Sequence, residues 1–280
     1  MNVEPEVSSN AELATPQARV SARILQASQL RFAGKSHEAS AELTKALDDA
    51  RATPYEIEFQ TRIQLAMTLA DVYQSTGENQ KASQMLAQEV AFAEKISQLM
   101  EATGTPPQKR AAASGTLQLR DRSTQIALIG QQAPEIAVKE WLNGPAATLS
   151  HLRGRVVLLE FWATWCQPCR EMFPKLQELY EKHAELGLEV VALTRHYLAY
   201  GGTAESMSNE RELMRRMVNE KGVTFSVGVA EDERLQGIYG ANGLPTIALI
   251  DRRSVVRYAG PDSDDPLFKD ALKRCLEETE

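Results

Sequence analysis

The sequence predicts an all-α region of helical hairpins followed by an α/β domain built on a mixed central sheet. Two observations predict it. Up to about residue 105 the chain carries apolar faces at helical spacing, broken by glycine-containing turns. Past about Gln118, short β-rich runs alternate with amphipathic stretches. In the first region a helix over Arg19–Ala33 ends at Gly34-Lys35-Ser36, and Ala39, Leu43 and Ala46 continue an apolar face beyond it. A second pair, Tyr55–Gln74 and Ala82–Leu99, flanks Thr76-Gly77-Glu78. Glycine at each break supplies the left-handed backbone that ends a helix. Turn formers and small residues from Thr103 to Gly115 mark a linker, assigned to 106–126. The α/β part, 127–280, has strands expected at Ile136–Trp141, Val156–Phe161, Leu188–Leu193, Phe225–Val229, Ile247–Asp251 and Val255–Ala259. Helices are expected at Glu171–Leu186, Ala204–Lys221, Glu231–Tyr239 and Pro266–Glu278.

The two N-terminal hairpins share a spacing. Ala27, Leu30, Gly34, Ala39 and Leu43 match Ala70, Tyr73, Gly77, Ala82 and Leu86 at an offset of 43 residues. The small–large–Gly–Ala–large pattern resembles a tetratricopeptide repeat, whose usual period is about 34 residues. A plain four-helix packing module over 1–105 is the alternative. The repeat resemblance implies a protein partner in the helical groove.

Bulk properties exclude several classes. Thirty-one Lys and Arg against 38 Asp and Glu give a net charge of −7, which argues against nucleic acid as a partner. No run reaches the roughly 18 apolar residues of a membrane span. The start, Met1-Asn2-Val3-Glu4-Pro5-Glu6, lacks the positive end and apolar stretch of a signal peptide. Either the chain is cytoplasmic as it stands, or a leader or anchor lies outside it. With only three cysteines, a disulfide-scaffolded fold is excluded.

The sharpest chemistry lies in Val156–Pro174, where an apolar strand runs into Cys166-Gln167-Pro168-Cys169 and on into an amphipathic helix. Cys166 then sits at a helix N-terminus, where unpaired N–H groups and the helix dipole favour a thiolate. Its pKa is expected below the roughly 8.5 of a free cysteine. Cys169, one turn on, is close enough to form a Cys166–Cys169 disulfide and to resolve a mixed disulfide. Pro168 suits the first turn because it has no N–H to leave unbonded. Glu160, alone in an apolar strand, is the candidate proton acceptor for Cys169, since burial raises a carboxyl's pKa. The alternative for Glu160 is an exposed strand edge. Trp162 reads as core, Trp165 as part of a docking surface beside the thiol, and Cys275 as a buried cysteine on the last helix.

Phe161-Trp162-Ala163-Thr164-Trp165-Cys166-Gln167-Pro168-Cys169 resembles the active-site signature of the thioredoxin superfamily. Gly130–Pro134 and Ala147–Arg155 resemble its TlpA/ResA-like branch, and Gly243–Asp251 is similar to that branch's cis-proline segment. The resemblance covers about 127–280 and implies a thioredoxin-like fold. It also implies a cis Pro245 and a backbone at Leu244 that pairs with a bound partner strand. Trp165, Gln167, Pro168, Leu244 and Thr246 form the expected substrate-binding surface, with Cys166, Cys169, Glu160 and Pro245 catalytic. The implied activity is dithiol–disulfide exchange with protein substrates, commonly reductive, fed by an upstream electron donor and needing no metal or organic cofactor. The implied setting is extracytoplasmic, facing apocytochrome c or copper-site thiols. One departure stands out: where the family often carries an acidic residue after the third expected strand, this chain reads Thr194-Arg195-His196-Tyr197. Arg195 as a thiolate stabiliser and His196 as a second titrating group are weighed against a solvated basic loop.

Three other readings compete. Zinc needs four ligands, yet Cys275 is alone and His37, His151, His183 and His196 show no pairing. A peroxiredoxin-like peroxidase shares the fold, but no proline precedes Thr164 on the loop. The third is an adaptor that binds through its helical hairpins and uses the thioredoxin-like domain for redox sensing.

Overall fold

The computed structural model describes residues 15–198 and 202–278; the stretch on which the leader reading rests lies outside the described residues. The chain divides into two compact units, Met1–Ser123 and Thr124–Glu280.

In the first unit α1 (Pro16–Phe32), α2 (Ser36–Ala52), α3 (Phe59–Ser75) and α4 (Asn79–Thr103) pack each on the next in the chain. Thr15 Oγ1 accepts the Ala18 N–H at 3.2 Å, and Pro16 occupies the first turn, so α1 starts with its free donors partly satisfied. Both hairpins close alike. Lys35 N–H reaches the Leu30 carbonyl at 2.9 Å and Gly34 N–H the Arg31 carbonyl at 3.0 Å. Glu78 N–H reaches Tyr73 at 2.7 Å and Gly77 N–H reaches Gln74 at 3.1 Å. Gly34 and Gly77 hold φ of 74° and 76°, the left-handed conformation this closure needs. Ala27, Ala39, Ala70 and Ala82 are fully buried, so the repeated small residues lie inside the packing. Between α3 and α4, buried Glu89 accepts from Arg62 Nε at 2.6 Å and from Arg51 Nε at 2.9 Å.

The linker expected over 106–126 is a helix, α5 (Pro106–Leu128). Pro106 opens it without an N–H to leave unbonded, and Gln108 Oε1 accepts the Thr105 N–H at 2.9 Å, a cap reaching back from the first turn. The small residues that suggest flexibility serve close packing instead. Ala112 is buried, and a Cβ on Gly115 would lie 2.7 Å from the Phe59 ring. The division between the two units falls within this helix.

The second unit is a six-stranded mixed sheet among the described residues. Its elements are β1 (Val138–Asn143), β2 (Val156–Phe161), α6 (Gln167–His183), β3 (Leu188–Thr194), α7 (Ala204–Glu220), β4 (Ser226–Ala230), α8 (Arg234–Tyr239), β5 (Thr246–Ile250), β6 (Val256–Gly260) and α9 (Pro266–Glu277). The strand order is β1-β4-β3-β2-β5-β6. β2 runs parallel to β3 and antiparallel to β5, and β3 runs parallel to β4. Paired on both edges and covered on both faces, β2 is buried at every residue, which is why it reads as an apolar run rather than an alternation.

Its side chains alternate between two cores. Val156 and Leu158 join Phe173 and Leu176 of α6, Met214 and Val218 of α7, and Phe268 and Leu272 of α9. Val157, Leu159 and Phe161 join Leu235 and Tyr239 of α8 on the other face. Each fully buried Leu or Phe contributes roughly 1.5–3 kcal/mol, so β2 is anchored from both sides. Cys169, Met172, Phe173 and Leu176, at helical spacing, are the buried face of α6.

Candidate active site

The end of β2 and the start of α6 place the sulfurs. Trp162 N–H still bonds the Leu193 carbonyl at 3.0 Å, after which the chain turns and Cys166 becomes the N-cap of α6. Cys166 Sγ accepts the Cys169 N–H at 3.3 Å. The two sulfurs are bonded, with S–S 2.01 Å and Cα atoms 5.4 Å apart. Cys169 is fully buried, Cys166 is 3% exposed, and Trp165 beside it is 56% exposed. Trp162 lies in the core, edge-on to Phe173.

Glu160 follows Val156 and Leu158 on the face of β2 whose core contains both cysteines. It is fully buried, lying between Ala192 of β3 and Ile247 of β5, so it is at no exposed edge. Neither carboxylate oxygen accepts a hydrogen bond from a protein donor. Burial therefore pushes its carboxyl well above the ordinary carboxylate range.

The loop into β5 has a cis Leu244–Pro245 bond. Thr246 is buried, pairs with Phe161, and donates its hydroxyl to the Gly243 carbonyl at 2.7 Å. That bond ties the loop to the start of β5. Leu244 is half-buried against both cores. Gln167 and Pro168 are exposed on the first turn of α6, with Gln167 Nε2 donating to Glu171 at 3.0 Å.

The segment after β3 is the least expected part. Arg195 Nε donates to Gln236 Oε1 at 2.7 Å, and its guanidinium lies 4.1 Å from the centre of the Tyr197 ring. His196 Nδ1 is 3.1 Å from Glu210 Oε2 on α7. Arg195 and His196, weighed as modulators of the thiols, are thus engaged with α8 and α7. Tyr197 meets Trp165 edge-to-face, ring centres 5.5 Å apart, and its hydroxyl is hydrogen-bonded by Gln236 Nε2. Burial, ahead of the nearby Glu160, raises the Tyr197 phenol above its usual range. Tyr197, Glu210 and Gln236 escape sequence reasoning, because each gains its place from a pairing across the fold. Cys275 is buried, and burial pushes its thiol up to about 11.

A Cys-x-x-Cys disulfide at a helix N-terminus, delivered by a central strand of a mixed sheet, makes this a thioredoxin-like domain. Residues 129–259 match the model of the AhpC/TSA family. Thiol-disulfide oxidoreductases ResA of Bacillus thuringiensis and Bacillus anthracis are each 35% identical over 125 residues, covering 44% of this chain and 64% of theirs. ResA of Halalkalibacterium halodurans is 31% identical over 137 residues, covering 49% of this chain and 69% of that protein. Among solved structures, a thiol-disulfide isomerase from Corynebacterium glutamicum aligns over 54% of this chain and 98% of its own, with 23% identity and a TM-score of 0.46. The chain belongs to the ResA-like thiol-disulfide oxidoreductase family of the thioredoxin superfamily. It spans 64% of the length of the first two relatives, and the helical N-terminal unit lies outside the AhpC/TSA match.

Proposed function

We propose that the chain exchanges disulfides with protein partners through Cys166 and Cys169 and works as a reductant. The observation that supports it most is the Cys166–Cys169 bond at the N-terminus of α6, on the face that also holds the buried, unpartnered Glu160. In the reduced form, the Cys166 thiolate attacks one sulfur of a partner disulfide, forming a mixed disulfide and releasing the partner's first thiolate. Cys169 gives up its proton, with Glu160 the acceptor, and attacks Cys166 Sγ. The Cys166–Cys169 bond closes and the partner's second thiolate leaves. Two electrons pass to the partner, and an upstream dithiol donor must return them. A raised carboxyl pKa suits Glu160 to this transfer, because it narrows the gap to a thiol.

In this reading Leu244, Pro245 and Trp165 form the docking surface for the partner segment, and the helical unit holds a protein partner. The setting we propose is extracytoplasmic; no helix among the described residues is long and apolar enough to cross a membrane. The test is trapping. Cys169→Ser should accumulate a mixed disulfide through Cys166, while Cys166→Ser should neither trap a partner nor reduce insulin. Turnover of hydrogen peroxide without protein disulfide reduction would favour the peroxidase reading. A partner retained by the double cysteine variant, with no exchange in the wild type, would favour the adaptor.

A further inference from the structure

We infer that Tyr197 determines specificity: with Trp165 it forms an aromatic wall beside the disulfide that receives an apolar side chain flanking the cysteine of an extended partner segment. The inference rests on the exchange reading above and names its substrate class. Cys166 is nearly buried, so a partner sulfur reaches it only if the partner chain lies close over the bordering residues. Of the two exposed residues adjacent to Cys166 in sequence, Trp165 and Gln167, only Trp165 offers an apolar ring, and the ring it meets is Tyr197, at an interplanar angle of 87°.

The position is held from several sides. The backbone N–H groups of Tyr197 and Leu198 both donate to Glu210 Oε1 at 3.0 Å, which ties the segment to α7. Buried Gln236 of α8 uses both ends of its amide here, accepting from Arg195 Nε and donating to the Tyr197 hydroxyl. The Arg195 guanidinium covers the Tyr197 ring. Aromatic rings fixed in this way present apolar area with little ordering still to be done when a partner arrives. Leu198, 69% exposed, extends the apolar surface by one residue. The Arg195 charge behind the wall disfavours Lys or Arg at the same place in the partner.

The chemistry therefore selects a disulfide with Leu, Phe or Trp beside the attacked cysteine over one with Ser, and rejects one with Lys. Tyr197 acts through docking and touches neither reacting sulfur in this scheme.

The test uses the full reduced chain and a set of disulfide-closed peptides identical except for Leu, Ser or Lys before the attacked cysteine. The wild type should prefer Leu over Ser by roughly tenfold in kcat/KM, the scale of an apolar contact, with Lys worst. Tyr197→Ala should bring the Leu-to-Ser ratio towards one, mainly through KM, and Tyr197→Phe, which keeps the ring, should retain the preference. Hydroxyethyl disulfide, which has no flanking residue, reads wild-type exchange by itself. Failure there overturns the exchange reading. Normal turnover of it with no Leu preference in the wild type overturns the wall alone, whatever the folding of the variants. A preference that survives in folded Tyr197→Ala also overturns it.

Discussion

Glu160 carries the most direct residue-scale consequence. Its carboxyl binds a proton more tightly in the folded chain than in the unfolded one, because burial penalises the charged form. Above the ordinary carboxylate range the folded state thus keeps a proton that the unfolded chain has lost. Stability then falls as pH rises towards the folded pKa, by about 1.4 kcal/mol per pH unit at the steepest. Glu160→Gln removes this slope. Urea unfolding of the oxidised wild type and variant at pH 5, 6 and 7 should show the wild type losing ground to the variant as pH rises. Parallel pH dependences would mean that the carboxyl is solvated after all. The same variant should slow closure of the Cys166–Cys169 bond, seen as a longer-lived mixed disulfide in stopped-flow mixing. Glu160 is legible in sequence because one acid in an apolar strand has few harmless explanations. Gln236 is not: an ordinary polar residue on a short helix gains its role only by meeting Tyr197, 39 positions away.

At the scale of elements, the glycines closing the helical hairpins make the sharpest prediction. Gly77 has φ of 76°, and a Cβ there would meet nothing within 4 Å, so substitution costs backbone strain alone. Gly77→Ala should destabilise by about 1–2 kcal/mol in denaturant unfolding, and Gly77→Asn by less, since Asn tolerates the left-handed region. Equal effects would point to lost packing instead. Most elements are legible from apolar spacing, including the fully buried β2 and the helix after the cysteines. α5 is the exception: alanine, serine and glycine from Ala111 to Gly115 look the same in a flexible linker as on a helix face pressed against Phe59. Composition does not distinguish room to move from lack of room.

For the whole molecule, the fold sorts three chemically identical side chains into different reactivities. Cys275 lies in the same core cluster as Cys166 and Cys169, yet its thiol is held neutral up to about 11 by burial, while α6 aims its N-terminus at Cys166. Iodoacetamide at pH 8 should label nothing in the oxidised folded chain and Cys166 first after mild reduction. Cys275 should react only on unfolding, as peptide mass mapping would read. Early labelling of Cys275 would place it among the redox-active sulfurs. The sorting follows from the order of the elements along the chain, which is why the fold class is readable from their alternation.

Because β2 and β3 run together and β5 runs against them, the edge where the chain leaves the first two is the edge where it enters the third. The residues that follow Thr194 and those that precede Thr246 therefore gather at the same end of the sheet as the turn that leads from Phe161 to Cys166. A visitor arriving at that end meets three separate stretches of the sequence at once, so a change in any one of them can alter its reception while the sulfur couple stays as it was.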